Sequence, residues 1–435
     1  MKKLIFLFVL MANQSCLLAQ QGWYEVPNAP TSPRFEDVSL VGSTVWVAEN
    51  GNFNGIIVHK SLDKGDTWVA CDTLPGTSVT QYYIRSVEFM NDSVGLLGCL
   101  SITQGTPILF RTTDGGSTFN PVSSPAFTGA NGICGMAHYD STFIAVGIYD
   151  GQANFFKSTD MGVTWSVTSL IAQAQGLVDC YMFNDSTYLV SGHGTLAQQN
   201  SGTILRTTNG GLTWQQVALD TDPFGYCWKM SFLPNGKGIA SIQESESVFL
   251  TSDFGATWSL QNVGNCDLNF GATAFLNDTL GWVGDQYASP CFYETRDGGS
   301  TWTLYFFGNS LDRMVLLDSQ TVMAVGATIY KYSSDSVPTS VFNPPTKFLA
   351  QHELNVFPNP VIKTLNVELQ VAEASLISIF LLDEKQNLIK QLTHKHYKKG
   401  KYLLSEDVQG LASGSYLLYL TSYQKMVVKK FTVVK

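Results

Sequence analysis

The chain has 435 residues, of which 44% are apolar and only 14% charged, so it can bury a large core and is not a disordered protein. Gly, Phe and Tyr are abundant, with 38, 26 and 18 copies, which favours many short strands joined by turns. The formal net charge of -9 disfavours nucleic acid and anionic membranes as partners.

The first 19 residues predict a secretory signal peptide. Lys2 and Lys3 precede an apolar run from Leu4 to Met11, and small or polar residues then lead to a cleavage site near Ala19. That run is too short to span a bilayer, and no later stretch reaches the roughly 18 apolar residues that a transmembrane helix requires. We therefore expect an exported protein without a transmembrane segment.

Seven cysteines remain after that cleavage, and an odd number leaves at least one thiol outside any disulfide. Exported chains form disulfides, but the pairing cannot be read from the spacing. The sequence contains no CxxC pair, phosphate loop or Ser-His-Asp arrangement, so we expect neither a metal nor a cofactor. The seven positions are Cys71, Cys99, Cys134, Cys180, Cys227, Cys266 and Cys291.

One short motif occurs six times between residues 61 and 302. Each copy contains a hydroxyl residue, an Asp or Asn, a Gly, a Thr and an aromatic residue in that order. The Asp or Asn accepts hydrogen bonds from backbone N–H groups, and Gly takes a positive φ without strain, so each copy predicts a tight turn between two strands. The Asp or Asn residues are Asp63, Asp114, Asp160, Asn209, Asp253 and Asp297.

The spacing of these turns, 44 to 51 residues, predicts a propeller of four-stranded antiparallel blades. Two incomplete units, around residues 38–48 and 314–326, bring the count to seven blades, with six and eight as the alternatives. The seventh unit lacks the turn, because Val337 stands where its Gly should be. We predict that the unassigned strand from Trp23 to Val26 completes this blade and closes the ring.

The antiparallel order places the repeated turns on one face of the ring and longer loops on the other, which we call the loop face. Loops on a rigid scaffold are the usual location of a binding site. The predicted loops of this face are residues 72–84, 120–133, 192–202, 219–228, 261–271 and 285–292.

The last part of the chain differs from the rest in composition and charge. Residues 336–353 form a predicted linker with three prolines and no periodicity. Strand-like runs and Gly turns in residues 354–435 predict a small Ig-like β-sandwich. Residues 351–435 hold 11 Lys and 7 acidic residues, whereas residues 1–350 hold 15 basic and 28 acidic residues. The predicted fold class is therefore all-β, a seven-bladed β-propeller followed by this sandwich.

The six motifs resemble the Asp-box, or BNR, repeat of sialidases, xyloglucan-cleaving glycosidases, sortilin-type receptors and plastid photosystem-assembly propellers. The resemblance covers residues 23–335 and implies a propeller in which the Asp-box carboxylates are structural. It does not imply one activity, because the repeat occurs in enzymes and in binding proteins alike.

Residues 354–435 resemble the type A sorting domain of the type IX secretion system of Bacteroidetes. The matching stretches are Val356 to Pro360, Gly410 to Tyr416 and Lys429 to Lys435. The resemblance implies that residues 354–435 engage the type IX secretion machinery. It also implies passage across the outer membrane, removal of the domain, and release or attachment at the cell surface.

Three arginines are candidate ligand-binding residues. Arg34, Arg85 and Arg313 each precede the innermost strand of a unit, and their units become neighbours when the ring closes. They could bind an anionic sugar, as the three arginines of sialidases do, although the Arg-Ile-Pro motif of that family is absent. Ion pairs with nearby carboxylates are the alternative. Those carboxylates are Glu36, Asp37 and Glu88.

Aromatic residues and carboxylates of the loop face are the other candidates. The aromatic residues could stack on a sugar or a peptide, or fill the channel. They are Tyr82, Tyr83, Phe224, Tyr226, Trp228, Phe270 and Tyr287. Two carboxylates about 5–10 Å apart could hydrolyse a glycoside, or they could form a solvated rim. These are Asp179, Asp220, Asp222, Asp267 and Asp285.

We predict a secreted or surface propeller that binds carbohydrate or protein through its loop face. A glycoside hydrolase, sialidase-like or other, and a structural surface protein are the alternatives.

Overall fold

The computed structural model describes most of the chain beyond the predicted signal peptide. Within these residues the chain forms β-strands and two short 3-10 turns, Pro125–Phe127 and Leu196–Gln198. No helix in this part is long and apolar enough to cross a membrane. The described residues are 20–49, 57–73, 82–101, 106–148, 151–198, 201–220, 225–264, 266, 269–287, 290–337, 352–372, 374–384, 388–422 and 425–435.

Seven four-stranded antiparallel sheets form the blades, which confirms the predicted seven-bladed propeller. Blade one consists of β2 (Phe35–Val41), β3 (Thr44–Glu49), β4 (Ile57–Ser61) and β5 (Val69–Thr73). Blade two consists of β6 (Tyr82–Phe89), β7 (Gly95–Ser101), β8 (Leu109–Thr112) and β9 (Asn120–Pro121). Blade three consists of β10 (Gly135–Tyr139), β11 (Thr142–Gly147), β12 (Asn154–Ser158) and β13 (Ser166–Ser169).

Blade four consists of β14 (Gly176–Met182), β15 (Tyr188–His193), β16 (Gly202–Thr207) and β17 (Gln215–Leu219). Blade five consists of β18 (Tyr226–Phe232), β19 (Gly238–Gln243), β20 (Ser247–Thr251) and β21 (Ser259–Asn262). Blade six consists of β22 (Phe270–Phe275), β23 (Gly281–Asp285), β24 (Cys291–Thr295) and β25 (Thr303–Phe306). Blade seven is β26 (Arg313–Leu316), β27 (Thr321–Val325), β28 (Ile329–Val337) and, as its outermost strand, β1 (Gln20–Glu25).

The six repeated turns join the third and fourth strands of blades one to six. In the first of them, Asp63 accepts hydrogen bonds from the Thr67 amide at 2.8 Å and from the Thr67 hydroxyl at 2.6 Å. The Ser61 hydroxyl donates to Asp63 and accepts from the Gly65 amide, both at 2.7 Å. Gly65 has a φ of +86°, a backbone conformation that residues with a Cβ rarely adopt, which explains why this position favours Gly.

The same bonds recur in the other five turns. Asn209 accepts from the Thr213 amide through its oxygen and donates to the Thr213 hydroxyl at 2.8 Å, so an uncharged side chain can support the same geometry. The Asp or Asn of each motif thus binds the backbone of its own turn. These residues are Asp63, Asp114, Asp160, Asn209, Asp253 and Asp297.

An apolar cluster fills each of the seven spaces between neighbouring blades. Between blades one and two, for example, Trp46 stacks on Phe89 at 3.8 Å between ring centroids. Cations just before the turns add links to the next blade: Lys60 donates to the Gly115 carbonyl at 3.3 Å, and Arg111 donates to the Met161 carbonyl at 2.8 Å.

The N-terminal strand closes the ring, as predicted. β1 pairs antiparallel with β28, so that Trp23 lies opposite Tyr332. The Trp23 ring also packs on Trp282 and Phe292 of blade six, with centroids 5.2 and 5.4 Å away. The backbone of this strand therefore completes blade seven, and its Trp23 side chain packs blade seven against blade six.

The C-terminal domain is a two-sheet sandwich. One sheet has the order β29 (Glu353–Phe357), β30 (Thr364–Val371) and β33 (Gly400–Asp407). The other has the order β32 (Leu388–Tyr397), β31 (Ser375–Asp383), β34 (Gly414–Ser422) and β35 (Lys425–Val433). Alternate residues of the two sheets meet in one buried apolar core.

One disulfide joins Cys266, in the loop before β22, to Cys291 in β24, with Cα atoms 5.9 Å apart. The remaining described cysteines are thiols, of which Cys99, Cys134, Cys180 and Cys227 are buried and Cys71 is half-buried.

The turn carboxylates predict an acid-dependent contribution to stability. Hydrogen bonds from Thr301 lower the pKa of Asp297 to about 2. A lowered pKa stabilises the fold above the usual carboxyl pKa of about 4, and this stabilisation disappears as the pH falls towards 2. Asp297→Asn should therefore lower the free energy of unfolding at pH 7 but not at pH 2, as measured by chemical denaturation. Asn209→Asp should raise the free energy of unfolding at pH 7 but not at pH 2. For either variant, equal changes in this free energy at both pH values would contradict the prediction.

Ring closure predicts a large effect at Trp23. Trp23→Ala should lower the free energy of unfolding by about 2–3 kcal/mol, because a half-buried ring leaves a cavity between blades six and seven. Denaturant unfolding measures the change. Glu25→Ala, at an exposed position of the same strand, is the control and should change stability by less than about 0.5 kcal/mol.

Candidate functional site

The innermost strands begin on the loop face because each blade is an antiparallel meander. Arg34 lies just before β2, and Arg313 is the first residue of β26. Arg85 lies inside β6 and not before it, since that strand already begins at Tyr82. All three arginines therefore lie near the loop-face end of the central channel. We call the surrounding set the mouth, formed by Arg34, Glu36, Tyr83, Arg85, Tyr226, Trp228, Gln286, Tyr287 and Asp312.

Arg34 connects three blades at the mouth. Its guanidinium binds both oxygens of Asp312 on blade seven, and the Nε–Oδ2 distance is 2.7 Å. The same guanidinium lies 3.1 Å from Glu36 and donates to the Gln286 side chain of blade six at 3.1 Å. A bidentate pair of this kind fixes the plane of the guanidinium.

Glu36 is the second centre of the network. It accepts a 2.8 Å bond from Arg85 and a 2.5 Å bond from the Tyr83 hydroxyl, both on blade two. The Arg85 guanidinium also lies over the Trp228 ring of blade five, 4.9 Å from its centroid. A single carboxylate, Glu36, therefore contacts both arginines.

Arg313 spans the channel. Its Nη1 donates to Asp179 of blade four at 2.8 Å, and its Nε lies 3.4 Å from Asp37 of blade one. Blades four and seven lie on opposite sides of a seven-membered ring, so the pair of Arg313 and Asp179 crosses its centre. The structure thus brings Arg34 and Arg85 together on Glu36 and gives Arg313 different partners.

The open edge of the innermost strands gives these carboxylates backbone partners. Each innermost strand pairs with only one neighbour, so some of its backbone N–H groups point away from its own blade. Asp37 accepts from the Val87 amide at 3.2 Å, and Asp179 accepts from the Met230 amide at 2.8 Å. Each carboxylate therefore satisfies the backbone of the next blade as well as Arg313.

The predicted aromatic residues separate into two groups. Tyr83, Tyr226 and Tyr287 are half-buried at the mouth, whereas Trp228 is buried and packs on Cys134 and Val178. Tyr287 lies beneath the Arg34 guanidinium, 5.6 Å from it. Phe270 is completely buried in the cluster between blades five and six. The Tyr82 side chain and Phe224 lie outside the described residues.

The predicted carboxylates that the structure describes do not form an exposed rim. Asp179, Asp220 and Asp285 are all buried, and Asp285 accepts from the Tyr287 amide at 2.8 Å. Asp222 and Asp267 lie outside the described residues. The acid that sequence reasoning missed is Asp312, although it directly precedes Arg313 in the sequence.

Glu36 and Asp312 have unusual surroundings. Both are 1% exposed, and both bind Arg34. Burial and the nearby Glu36 carboxylate raise the pKa of Asp312 to about 7, against the opposing effect of Arg34. Burial also raises the pKa of the Tyr83 hydroxyl, and the Glu36 carboxylate adds to this effect.

Three buried N–H donors of the mouth have no acceptor among the residues that the structure describes. They are Arg85 Nε, Trp228 Nε1 and Gln286 Nε2. An unsatisfied buried donor is costly, and these three lie on side chains that contact the Arg34–Glu36–Arg85 network. No cluster of three or more His, Cys, Asp or Glu residues that could hold a metal is found in the described ranges.

Residues 355–434 match the family described as the secretion system C-terminal sorting domain. The chain therefore carries a type IX sorting domain, is exported to the cell surface or secreted, and interacts with the secretion machinery through this domain. No curated protein matches the chain.

The propeller is similar in fold to several solved structures. YCF48 from Cyanidioschyzon merolae has a TM-score of 0.52 and 16% identity over 72% of this chain and 98% of that chain. YCF48 bound to a D1 peptide has the same TM-score and identity, over 72% of this chain and 96% of that chain. PorZ, a surface component of the type IX secretion system of Porphyromonas gingivalis, has a TM-score of 0.50 and 14% identity over 93% of this chain and 60% of that chain.

Glu36 should be the most sensitive carboxylate of the mouth. Glu36→Gln leaves Arg85 without its charged partner in a buried position, so we expect a loss of about 3 kcal/mol in the free energy of unfolding, measured by denaturant titration. Asp318→Asn, which breaks the exposed pair with Lys64, is the control and should cost less than about 1 kcal/mol. Similar losses in the two variants would show that the mouth network is not buried in solution.

The raised pKa of Asp312 predicts the pH dependence of stability. Between about pH 4 and pH 7 the folded protein holds this proton more tightly than the unfolded chain does. Asp312 therefore makes stability fall as the pH rises through this window, and Asp312→Asn should remove that part of the fall. Unfolding measured at pH 4 and pH 7 tests this expectation. Asp318→Asn, at a carboxyl with a lowered pKa, should leave the fall in place.

Proposed function

We propose that this protein is a surface or secreted propeller that binds an uncharged polar ligand, a carbohydrate or a protein segment, at the mouth. The observation that carries the proposal is the arrangement there of half-buried tyrosines around buried donors that have no acceptor in the described structure. Carbonyl and hydroxyl oxygens of an uncharged ligand can accept hydrogen bonds from such donors.

The aromatic rim supports this ligand class. Tyr83, Tyr226 and Tyr287 come from blades two, five and six, so their rings surround the mouth from several sides. Aromatic side chains provide a flat apolar surface at low entropic cost, and their hydroxyl groups add polar contacts. Such a surface suits a sugar ring or the side of a peptide.

The charge balance of the mouth and of the neighbouring Arg313 pairs weighs against an anionic ligand. Arg34, Arg85 and Arg313 bind four buried carboxylates, so their positive charge is already compensated. An incoming anion would have to displace a buried carboxylate from its guanidinium, which leaves that carboxylate unpaired. The carboxylates are Glu36, Asp37, Asp179 and Asp312.

We also propose the limits of the segments that serve this function. Residues 1–19 act as the signal peptide, residues 23–335 form the propeller, residues 336–353 link the domains, and residues 354–435 form the sorting domain. The shared hydrogen bonds of the six repeated turns support their assignment to the Asp-box repeat.

Trp228 gives the sharpest test of binding. The full chain is screened on glycan and peptide arrays, and peptides are included because a protein of similar fold has been solved with a D1 peptide. Trp228→Phe keeps an aromatic ring but removes one buried donor, so the affinity for any ligand found should fall about tenfold. Trp214→Phe is the matched control, since its indole donates to the Gly211 carbonyl on the turn face. An equal loss in the control, or no ligand on either array, would contradict the proposal.

Glycoside hydrolysis is the second candidate, and one observation favours it. Glu36 and Asp312 bind the same Arg34 atom, so their nearest oxygens lie within about 6 Å, close to the separation in retaining glycosidases. The pKa of Asp312, raised to about 7, would let it donate a proton at neutral pH, and Tyr83 on Glu36 offers a nucleophile.

Fluorogenic glycosides, including sialosides, test this candidate. Turnover that is lost in Asp312→Asn and kept in Asp318→Asn would support hydrolysis. Ligand binding without turnover in the parent protein would reject it and leave the binding proposal intact.

A further inference from the structure

The centre of the C-terminal sheet β32-β31-β34-β35 is apolar on both faces. Ile377, Ile379 and Leu381 of β31 point into the sandwich core. The alternate residues Phe380 and Leu382 point the other way, yet they are only 1% and 0% exposed. A sheet of an isolated two-layer sandwich has one solvated, polar face, so this sheet requires a second cover.

Blade six of the propeller provides the cover. Phe306, at the end of the outermost strand β25, lies 4.9 Å from Phe380 and 5.2 Å from Tyr419 between ring centroids. Phe306 is 6% exposed and Tyr419 is 3% exposed. These side chains form one buried cluster with Val263 and Tyr293 of the propeller.

The propeller half of this surface depends on the correct folding of blade six. Cys266 belongs to the cluster, and its loop is fixed by the disulfide to Cys291 and by a 2.9 Å bond from the Cys266 amide to the Tyr293 hydroxyl. A chain in which blade six is unfolded cannot form this surface. The outer face of the sorting domain would then expose Phe380, Leu382 and Tyr419.

We propose that this contact makes export depend on the folding of blade six. The sorting domain reaches the secretion machinery docked on the propeller, with its second apolar face covered. When blade six is not folded, that face is exposed and available for non-specific association, as exposed apolar patches are. The domain is then retained before the outer membrane. The proposal does not depend on what the mouth binds.

Docking is tested in solution on the full chain. A protease site is inserted after Ala350, in the predicted linker, and the cut protein is passed through a sizing column. The two parts of the parent should co-elute. Phe306→Glu and Tyr419→Lys place a charge in an aromatic cluster from its two sides, so each should weaken docking about tenfold or more and separate the parts. The controls Thr303→Glu and Ser415→Lys change less buried positions of the same two strands, and they should leave the two parts bound to each other.

Export is then measured as surface display in cells that carry the type IX system, with the uncut chains. Phe306→Glu and Tyr419→Lys should each lower display several-fold and leave the chain in the periplasm, while the two controls are displayed like the parent. The pair of variants matters, because Phe306→Glu changes only the propeller and Tyr419→Lys changes only the sorting domain.

Three results would overturn the proposal. Parts of the parent that separate after cutting would show that the domains do not dock. Normal display of both interface variants would show that docking does not control export. A loss of display confined to one of them would assign the effect to that domain alone and not to the contact.

Discussion

The pairing of β1 with β28 is the interaction on which the rest of the propeller depends. It joins the two ends of the propeller chain and supplies the fourth strand of blade seven. The mouth is built across this seam, because Arg34 of blade one binds Asp312 of blade seven. Residues 278 positions apart in the sequence thus meet only after the ring has closed. Closure of the ring therefore forms both the propeller and the candidate site.

The features that the sequence predicted correctly are those with local causes. Asp63 binds the amide four residues ahead, so a short motif determines the whole turn. The missing turn at Val337 and the unassigned strand at Trp23 have one explanation, which is why ring closure could also be predicted. The sorting domain is recognisable for the same reason, since its matching stretches are continuous in the sequence.

The interior of the channel could not be predicted in this way. Whether Arg313 meets Asp179 depends on the number of blades and on register shifts in the innermost strands, neither of which a local pattern reveals. Aromatic residues of these strands are ambiguous for a related reason. Phe270 packs between blades while Tyr226 lies at the mouth, and both begin an innermost strand. Contacts with neighbouring blades decide which residues are core and which can meet a ligand.

The pair of Arg313 and Asp179 has a consequence for the shape of any partner. A bond across the centre of the ring obstructs the path from one face to the other, so a polymer cannot be threaded through this propeller. It can only be held from the side or by its tip. For the binding function proposed above, a chain end, a branch or an exposed loop therefore suits the mouth, and an enclosed strand does not. The channel is thus a depression that is open at the loop face and closed by the ion pair of Arg313 and Asp179.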